Sequence, residues 1–355
     1  RLAAEAAEAR NAGSRARERA LDSAAERLEK LERQLLQTRV IDFPSGNHWL
    51  PSYAFAQDTV KLLVRSAEES GRLRLDRDRE RGISEYAPGA EVIADGKLFV
   101  SAGINLERRE PDLKWFSVHD KTRQIRIRDT RGEAVIDDSR PPVKFVEPVG
   151  FTTMWNAEVK QPNLYRLRPP SNTEVFLQDG VRDEEFEHCE DAAGVSAGIR
   201  PDGRLFRANL GTRSRGFMIC TRCGLRIDPT GGVPPEHKSP WGARCTGRPR
   251  WLALAHVFET DVMQVRFPGY TFPDIYETDF WITLTTAFRN KACELLSIAP
   301  SDLEGTCRSC SEGSRVGEMV LYDRVPGGAG HVQRIRDHMA VILKGTLALL
   351  RNCPN

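Results

Sequence analysis

The sequence has no long hydrophobic run and almost no net charge. No apolar stretch reaches the roughly 18 residues that a membrane-spanning helix needs, and no basic leader with an apolar core opens the chain. The 52 basic side chains nearly balance the 50 acidic ones, which argues against a tail that simply coats nucleic acid. We therefore expect a cytoplasmic protein without membrane contact, whose function depends on local sequence patterns.

Motifs of nucleotide hydrolysis and nucleophilic catalysis are missing too. No glycine-rich loop ends in Lys-Ser or Lys-Thr, and neither an acidic Walker B strand nor a Ser/His/Asp set is evident. A nuclease built on His256, Glu259 and Asp261 is disfavoured, because alternation along a strand would put His256 on the face opposite both carboxylates. The sequence therefore predicts no catalytic residue and no nucleotide cofactor, and it leaves open whether the chain is part of an enzyme.

Cysteine spacing is the most specific signal in the chain. Cys220 and Cys223 form a C-x-x-C pair, and His237 and Cys245 follow where a second loop can supply two more ligands. Four such ligands close a tetrahedral shell around zinc without a position for water, which indicates a structural site. The alternative is a group of reduced, unliganded thiols with His237 as an ordinary loop residue. We predict one structural zinc.

A second C-x-x-C pair, Cys307 and Cys310, has no obvious completing pair within the sequence. Cys353 is its nearest candidate partner, so a second metal site is possible but incomplete. The remaining cysteines, Cys189 and Cys293, are expected to be ordinary residues, because Cys293 lies beside the apolar face of a predicted helix.

A glycine-rich turn with Gly327, Gly328 and Gly330 connects a predicted strand to a predicted helix. Backbone amides and a helix N-terminus at such a junction can contact a phosphate. Because the turn lacks the Lys-Ser/Thr ending of a nucleotide-binding loop, the alternatives are a tight structural turn, which we favour, and a contact to a nucleic-acid phosphate.

Hydrophobic periodicity predicts an α+β fold in four segments. Residues 1–48 form an N-terminal amphipathic helix and linker, and residues 49–162 a β-rich domain. Residues 163–194 are expected to be an acidic, mobile linker, because a run of carboxylates is typical of a solvated segment. Residues 195–355 combine a β-rich part that carries the zinc knuckle with a C-terminal α/β segment.

Several local elements are predicted within these segments. We expect a hairpin turn at 94–97, a strand at 319–322, a helix from Thr278 and a final helix from Val332. We also expect a helix that buries Val60, Leu63 and Val64, and a helix start at a capping box of Ser301 and Glu304.

Five stretches resemble known helicase regions. Residues 53–55 (YAF), 77–79 (RDR) and 85–92 (EYAPGAEV) resemble the region that follows the two RecA-like domains of large DEAD/DEAH-box helicases. Residues 256–262 (HVFETDV) and 321–330 (LYDRVPGGAG) resemble the MrfA-like zinc-binding domain. The resemblance extends over most of the chain from about residue 49 onward.

The resemblance implies a non-motor accessory region of an ATP-dependent DNA helicase, contributing DNA or partner contacts and a structural zinc site. Residues 49–162 would be the post-motor domain, and residues 195–355 the MrfA-like zinc-binding domain, truncated before a further cysteine cluster. ATP binding would belong to the full-length protein, and the expected partners are DNA and helicase motor domains in cis or in trans.

Relatives with this domain occur in DNA repair and in antiphage systems such as DISARM. The alternative function is therefore a stand-alone DNA-binding or scaffold subunit of an antiphage defence complex that works with a separate helicase. The pattern of residues does not decide between repair and defence.

Overall fold

In the computed structural model, all described residues belong to one compact unit, Asp58–Asn355. The predicted amphipathic helix of residues 1–48 lies outside the described residues. The structure describes residues 59–65, 73–106, 111–119, 123–136, 140–155, 173–189, 192, 194–211, 214–232, 234–271, 278–309, 316–325 and 327–352.

The described residues form many strands and few helices. The strands are β1 (Thr59–Leu63), β2 (Asp76–Asp78), β3 (Glu91–Ala94), β4 (Lys97–Val100), β5 (Gly103–Ile104), β6 (Leu113–Val118), β7 (Ile125–Arg128), β8 (Val143–Val146), β9 (Gly150–Thr152), β10 (Glu174–Asp179), β11 (Glu187–His188), β12 (Ser196–Asn209), β13 (Phe217–Cys220), β14 (His237–Lys238), β15 (Arg244–Cys245), β16 (Pro249–Thr271), β17 (Leu303–Ser309) and β18 (Val316–Asp323). The helices are α1 (Arg79–Glu85), α2 (Thr278–Leu296), α3 (His331–Asp337) and α4 (Met339–Arg351), and Asp183–Glu185 and Pro229–Gly231 form short 3-10 turns. The predicted α+β class is confirmed.

Strand β16 is the centre of the largest sheet. The order along this sheet is β10-β12-β16-β8-β6-β7, with β13 and β18 also paired to β16, β11 to β12, and β17 to β18. Continuous runs of buried residues characterise β16, because residues 252–255 and 262–265 are fully buried, as expected for a strand covered on both faces. One strand therefore supports the elements on both of its sides.

A smaller sheet, in the order β2-β1-β9-β5, begins where a helix was predicted. The helix prediction around Val60 and Leu63 is wrong: Val60 and Leu62 are buried while Lys61 between them is exposed, which is the period of a strand. Parallel pairing with β9 stabilises this strand, and local sequence does not reveal such a long-range pairing. The hairpin at 94–97 is confirmed, with left-handed backbone at Asp95 and Gly96 between β3 and β4.

Helix α2 packs on β17 and β18, α3 packs on β16 and β18, and α4 packs on α2 and α3. Phe288 of α2, Ile335 of α3 and Ile342 of α4 lie in one buried apolar cluster. The predicted capping box at Ser301 and Glu304 is wrong, because residues 303–309 pair with β18 as a strand. Among the described residues, no helix is long and apolar enough to cross a membrane.

The predicted domain boundaries stay predictions, and the structure adds two facts about them. Strand β8 of the segment 49–162 pairs in parallel with β16, so both sides of the proposed linker contribute to one sheet. Within the segment 163–194, the linker prediction missed strand β10, whose apolar core residues Val175, Phe176 and Leu177 are buried against β12.

A buried carboxylate links β16, β17 and β18. Glu318 has no solvent exposure and accepts hydrogen bonds from Arg308 Nε at 2.7 Å, Arg266 Nε at 3.1 Å and Gln264 Nε2 at 2.6 Å. Gln264 in turn accepts a hydrogen bond from the backbone amide of Val181, next to β10. Because a buried charge is tolerated only with such partners, Glu318 fixes how these strands and the segment after β10 meet.

Removal of the Glu318 carboxylate tests this role. In Glu318→Ala two arginines lose their shared buried anion, and we expect the free energy of unfolding to fall by about 3–5 kcal/mol. The matched control is Glu259→Ala, which removes the exposed partner of Arg204 and should cost less than about 1 kcal/mol. Urea unfolding followed by circular dichroism measures both variants, and equal losses would contradict the assigned role.

Candidate metal centre

The first two candidate ligands lie on a reverse turn at the end of β13. The Cys220 amide donates to Leu225 O at 2.9 Å, and the Gly224 amide donates to Cys220 O at 2.8 Å. Gly224 has a φ of +76°, and a side chain there would overlap the carbonyl oxygen of Ile104. Glycine thus allows the turn that brings Cys220 and Cys223 to the same side.

The other two candidate ligands face each other across a hairpin. His237 of β14 is paired with Cys245 of β15, and the Ser239 amide closes the hairpin by donating to Ala243 O at 2.7 Å. Since β16 starts four residues after Cys245 and pairs with β13 through Pro249 and Cys220, the hairpin and the reverse turn meet.

The four ligand atoms lie within 4.8 Å of one another. The sulfur atoms of Cys220 and Cys245 are 3.8 Å apart, and the Cys223 sulfur is 3.2 Å from Nε2 of His237. Zinc–sulfur bonds of about 2.3 Å in a tetrahedron place two sulfurs roughly 3.8 Å apart. The structure thus brings together all four residues that the sequence predicted, in a geometry that fits zinc.

The surroundings pack closely against the ligand atoms of the cluster. A side chain at Gly247 would lie 2.6 Å from the Cys220 sulfur and 3.4 Å from the Cys245 sulfur, so glycine is needed for the close approach. The Nδ1 atom of His237 is buried without a hydrogen-bond partner among the described residues, while Nε2 faces the sulfurs. Nε2 is therefore the nitrogen that would hold a metal.

The protonation of Cys220 and Cys223 also favours binding of a cation at the cluster. Hydrogen bonds from the Cys223 side chain and from backbone amides outweigh burial and lower the pKa of Cys220 to about 4. The pKa of Cys223 is raised, because the two sulfurs compete for one proton and only one of them is stabilised as a thiolate. A divalent cation removes this competition, since it stabilises every coordinating sulfur as a thiolate.

The possible second site is only partly described. Cys310 and Cys353 lie outside the described residues. Cys307 is buried beside Trp281, and burial raises the pKa of its thiol to about 11, so this residue has the environment of a core cysteine. Cys293 belongs to α2 and is buried in the apolar core, and Cys189 packs against the same core.

Backbone amides of the glycine-rich turn and of the helix after it donate to a buried carboxylate. Asp323 is fully buried, and its carboxylate accepts hydrogen bonds from the amides of Ala329 at 2.7 Å, His331 at 3.0 Å and Val332 at 3.2 Å. Gly327, Gly328 and Gly330 have φ values of +79°, +79° and +73°, and a side chain at Gly328 would overlap the Asp261 carboxylate. These contacts favour the structural alternative over the phosphate contact, because the amides already have an anionic partner.

The disfavoured nuclease residues are separated as alternation predicts. His256 stacks on Phe258, two residues along β16, at 5.4 Å between ring centres. Glu259 forms an ion pair with Arg204 instead of joining His256.

The sequence analysis missed a group of side chains beside the hairpin of β14 and β15 (the metal hairpin). Trp155 and Trp241 are exposed, and the guanidinium carbon of Arg65 lies 5.7 Å from the Trp241 ring centre. The available signal was the Pro-Trp-Gly turn at residues 240–242, since a large aromatic residue in a polar turn is seldom needed for packing.

Loss of one ligand tests the centre. Zinc bound to a small knuckle contributes on the order of 10 kcal/mol at neutral pH, so Cys223→Ser should lose zinc and expose the hairpin of β14 and β15 to protease. We expect the core around β16 to stay folded. Metal analysis and limited proteolysis measure these effects, and Cys189→Ser, a half-buried thiol outside the cluster, should retain zinc. Full zinc retention in Cys223→Ser would contradict the ligand assignment.

Comparisons with known proteins give a family match for the C-terminal part of the chain and a curated relative for most of it. Residues 284–355 match the family described as MZB, the MrfA Zn-binding domain. The chain is 25% identical over 371 residues to the Druantia protein DruE of Escherichia coli (strain UMEA 4076-1), a match that covers 89% of this chain and 20% of that relative. The chain thus spans about a fifth of the length of this curated relative.

Two solved structures share a limited similarity with the chain. The crystal structure of the DUF1998 helicase MrfA bound to DNA aligns with a TM-score of 0.42 and 11% identity, over 84% of this chain and 30% of that one. The MrfA structure with DNA and AMPPNP aligns with a TM-score of 0.30 and 7% identity, over 83% and 28%.

The family match does not include the candidate metal centre. Residues 284–355 contain Cys293, Cys307, Cys310 and Cys353, whereas the Cys3His cluster lies between residues 220 and 245. The resemblance to proteins with an MrfA-like zinc-binding domain is confirmed, and the region of this chain that matches that domain is residues 284–355.

Proposed function

We propose that this chain is a non-motor accessory region of an ATP-dependent DNA helicase, in which a structural zinc supports a DNA-contacting surface. The observation that carries the proposal is the Cys3His cluster at the base of a basic hairpin. A closed shell of three sulfurs and one nitrogen leaves no position for a substrate, so the metal would organise the surface and not catalyse. The similarity to the MrfA Zn-binding domain supports a helicase-associated role.

Positive charge accumulates around the candidate metal centre. Between Cys220 and Arg250 the sequence has six arginine and lysine side chains against two acidic ones, Asp228 and Glu236. This excess contrasts with the near-neutral chain as a whole and favours a phosphate backbone as the partner.

A second basic group lies around Trp115 of the large sheet. The Lys144 ammonium lies 4.8 Å from the Trp115 ring centre, and the Arg131 guanidinium lies 5.8 Å from the same ring. Burial, and next the charge of Arg250, lowers the pKa of Lys144. Burial is the larger cause, and the two cations share one sign, so a phosphate bound beside them would be a favourable counter-charge.

A protein-partner role rests on a different surface. An apolar groove between α2 and α4 is lined by residues that include Ile282, Ala287 and Leu349, and Ile282 and Leu349 are exposed. Exposed apolar surface of this kind is typical of protein contacts. The same chain could therefore serve as a scaffold subunit that works with a separate helicase.

Salt-dependent DNA binding tests the proposed function. We expect weak binding with little sequence preference, whose affinity falls steeply as salt rises, because phosphate contacts release counterions. Combined Lys144→Ala and Arg250→Ala substitutions should lower the slope of log affinity against log salt by about 2. Fluorescence anisotropy with a labelled duplex measures this slope, and Lys344→Ala, an exposed cation on α4, is the control.

Two outcomes would contradict parts of this proposal. An unchanged salt slope in the double variant would remove Lys144 and Arg250 from the DNA surface. Failure of the wild-type chain to bind duplex, single-stranded or forked DNA at low salt would contradict the DNA role and favour the protein-partner role.

A further inference from the structure

Two half-exposed tryptophans lie together at the end of the metal hairpin. Trp155 and Trp241 are 49% and 45% exposed. The backbone amide of Trp155 donates to Pro240 O at 2.7 Å, and its indole Cδ1 lies 4.0 Å from the position that a Cβ on Gly242 would take. The two indoles therefore flank the same turn, although 86 positions separate them in the sequence.

An arginine is fixed beside one of these rings. The Arg65 guanidinium carbon is 5.7 Å from the Trp241 ring centre, within the range of a cation–π contact. The Arg65 backbone amide donates to Thr153 Oγ1 at 2.9 Å and its Nε donates to Thr152 Oγ1 at 2.5 Å. Both ends of Arg65 are thus tied to the segment that leads to Trp155.

Exposure of these rings is costly unless a partner covers them. An indole has a large apolar area, and Trp281 of the same chain is almost completely buried. The turn at residues 240–242 contains proline and glycine, which form a tight turn without an aromatic residue. Packing among the residues that the structure describes therefore does not account for Trp241, which points to a ligand with a flat, stackable surface.

The charges around the rings identify the class of ligand. Lys238 and Arg244 are opposite each other in the hairpin that ends in this turn, and Arg222 on the reverse turn is also exposed. Arg244 is paired with Glu236, so part of this charge is balanced. The surplus still favours an anionic chain with flat rings, which describes an unpaired nucleic-acid strand better than an apolar protein segment.

We propose that Trp155, Trp241 and Arg65 form a stacking surface for unpaired bases of a single-stranded nucleic acid, with the basic side chains of the hairpin contacting the phosphates. This assignment rests on the proposed DNA-contacting function and gives it a strand preference. The candidate metal centre supports the surface, because His237 and Cys245 close the hairpin whose turn carries Trp241.

Binding of oligothymidylate of about 16 nucleotides, compared with a duplex of the same length, tests the proposal. Stacking should quench tryptophan fluorescence when the single strand is added to the wild-type chain. Each ring should contribute about tenfold to single-strand affinity, so Trp155→Ala with Trp241→Ala should weaken it by about 100-fold. Duplex affinity should change less than about twofold, because duplex binding depends on phosphate contacts.

Matched variants separate stacking from folding. Phe280→Ala removes a half-exposed aromatic ring on α2 and should leave both affinities unchanged. Trp241→Phe keeps a stacking ring and should recover most of the single-strand affinity that Trp241→Ala loses. Zinc content and melting temperature of each variant show whether the hairpin is still folded.

The outcomes distinguish this proposal from the function on which it rests. Unchanged oligothymidylate affinity in the double tryptophan variant, with duplex binding intact, would overturn the stacking surface, assign the indoles to a protein partner and leave the DNA role standing. Absence of binding to both DNA forms by the wild-type chain would overturn both.

Discussion

The organisation of the candidate site depends on one constraint: three sulfurs and one imidazole nitrogen must lie within 4.8 Å of one another. Few apolar side chains are available to enforce this. Among the described residues, the apolar cluster at this point consists of Cys220, Cys223 and Cys245 with Leu225 packed against them. A structural cation bound here would replace the missing hydrophobic core, as it does in other small knuckles. Without it, the Cys220 and Cys223 thiols would compete for one proton in a buried space.

Strand β16 connects the metal hairpin to the rest of the fold. It begins directly after the metal hairpin, pairs with β13 beside Cys220, and continues into the sheet with β12, β18 and β8. Glu318 then ties β18 to β16 and β17 through buried charge-assisted hydrogen bonds. One end of β16 follows the metal hairpin, and the other end pairs with β18 of the matched residues 284–355. Both regions are therefore attached to a single continuous strand.

Local chemistry was predictable from the sequence, whereas long-range pairing was not. The spacing of Cys220, Cys223, His237 and Cys245 predicted a cluster that the structure assembles, because ligand chemistry constrains spacing strongly. Val60 lies in a short apolar run that fits the period of a helix as well as that of a strand. Its strand conformation is stabilised by the pairing with β9, which the local sequence does not reveal. The stacking group of Arg65, Trp155 and Trp241 comes from three distant parts of the chain, so no window of sequence contains it.

The central claim is that one zinc ion holds the hairpin through Cys220, Cys223, His237 and Cys245. X-ray absorption spectroscopy of the purified chain at the zinc edge, combined with metal analysis, tests it most directly. We expect one zinc per chain with three sulfur neighbours at about 2.3 Å and one nitrogen neighbour at about 2.0 Å. A shell of oxygen ligands, a shell of four sulfurs, or a zinc content near zero would contradict the account.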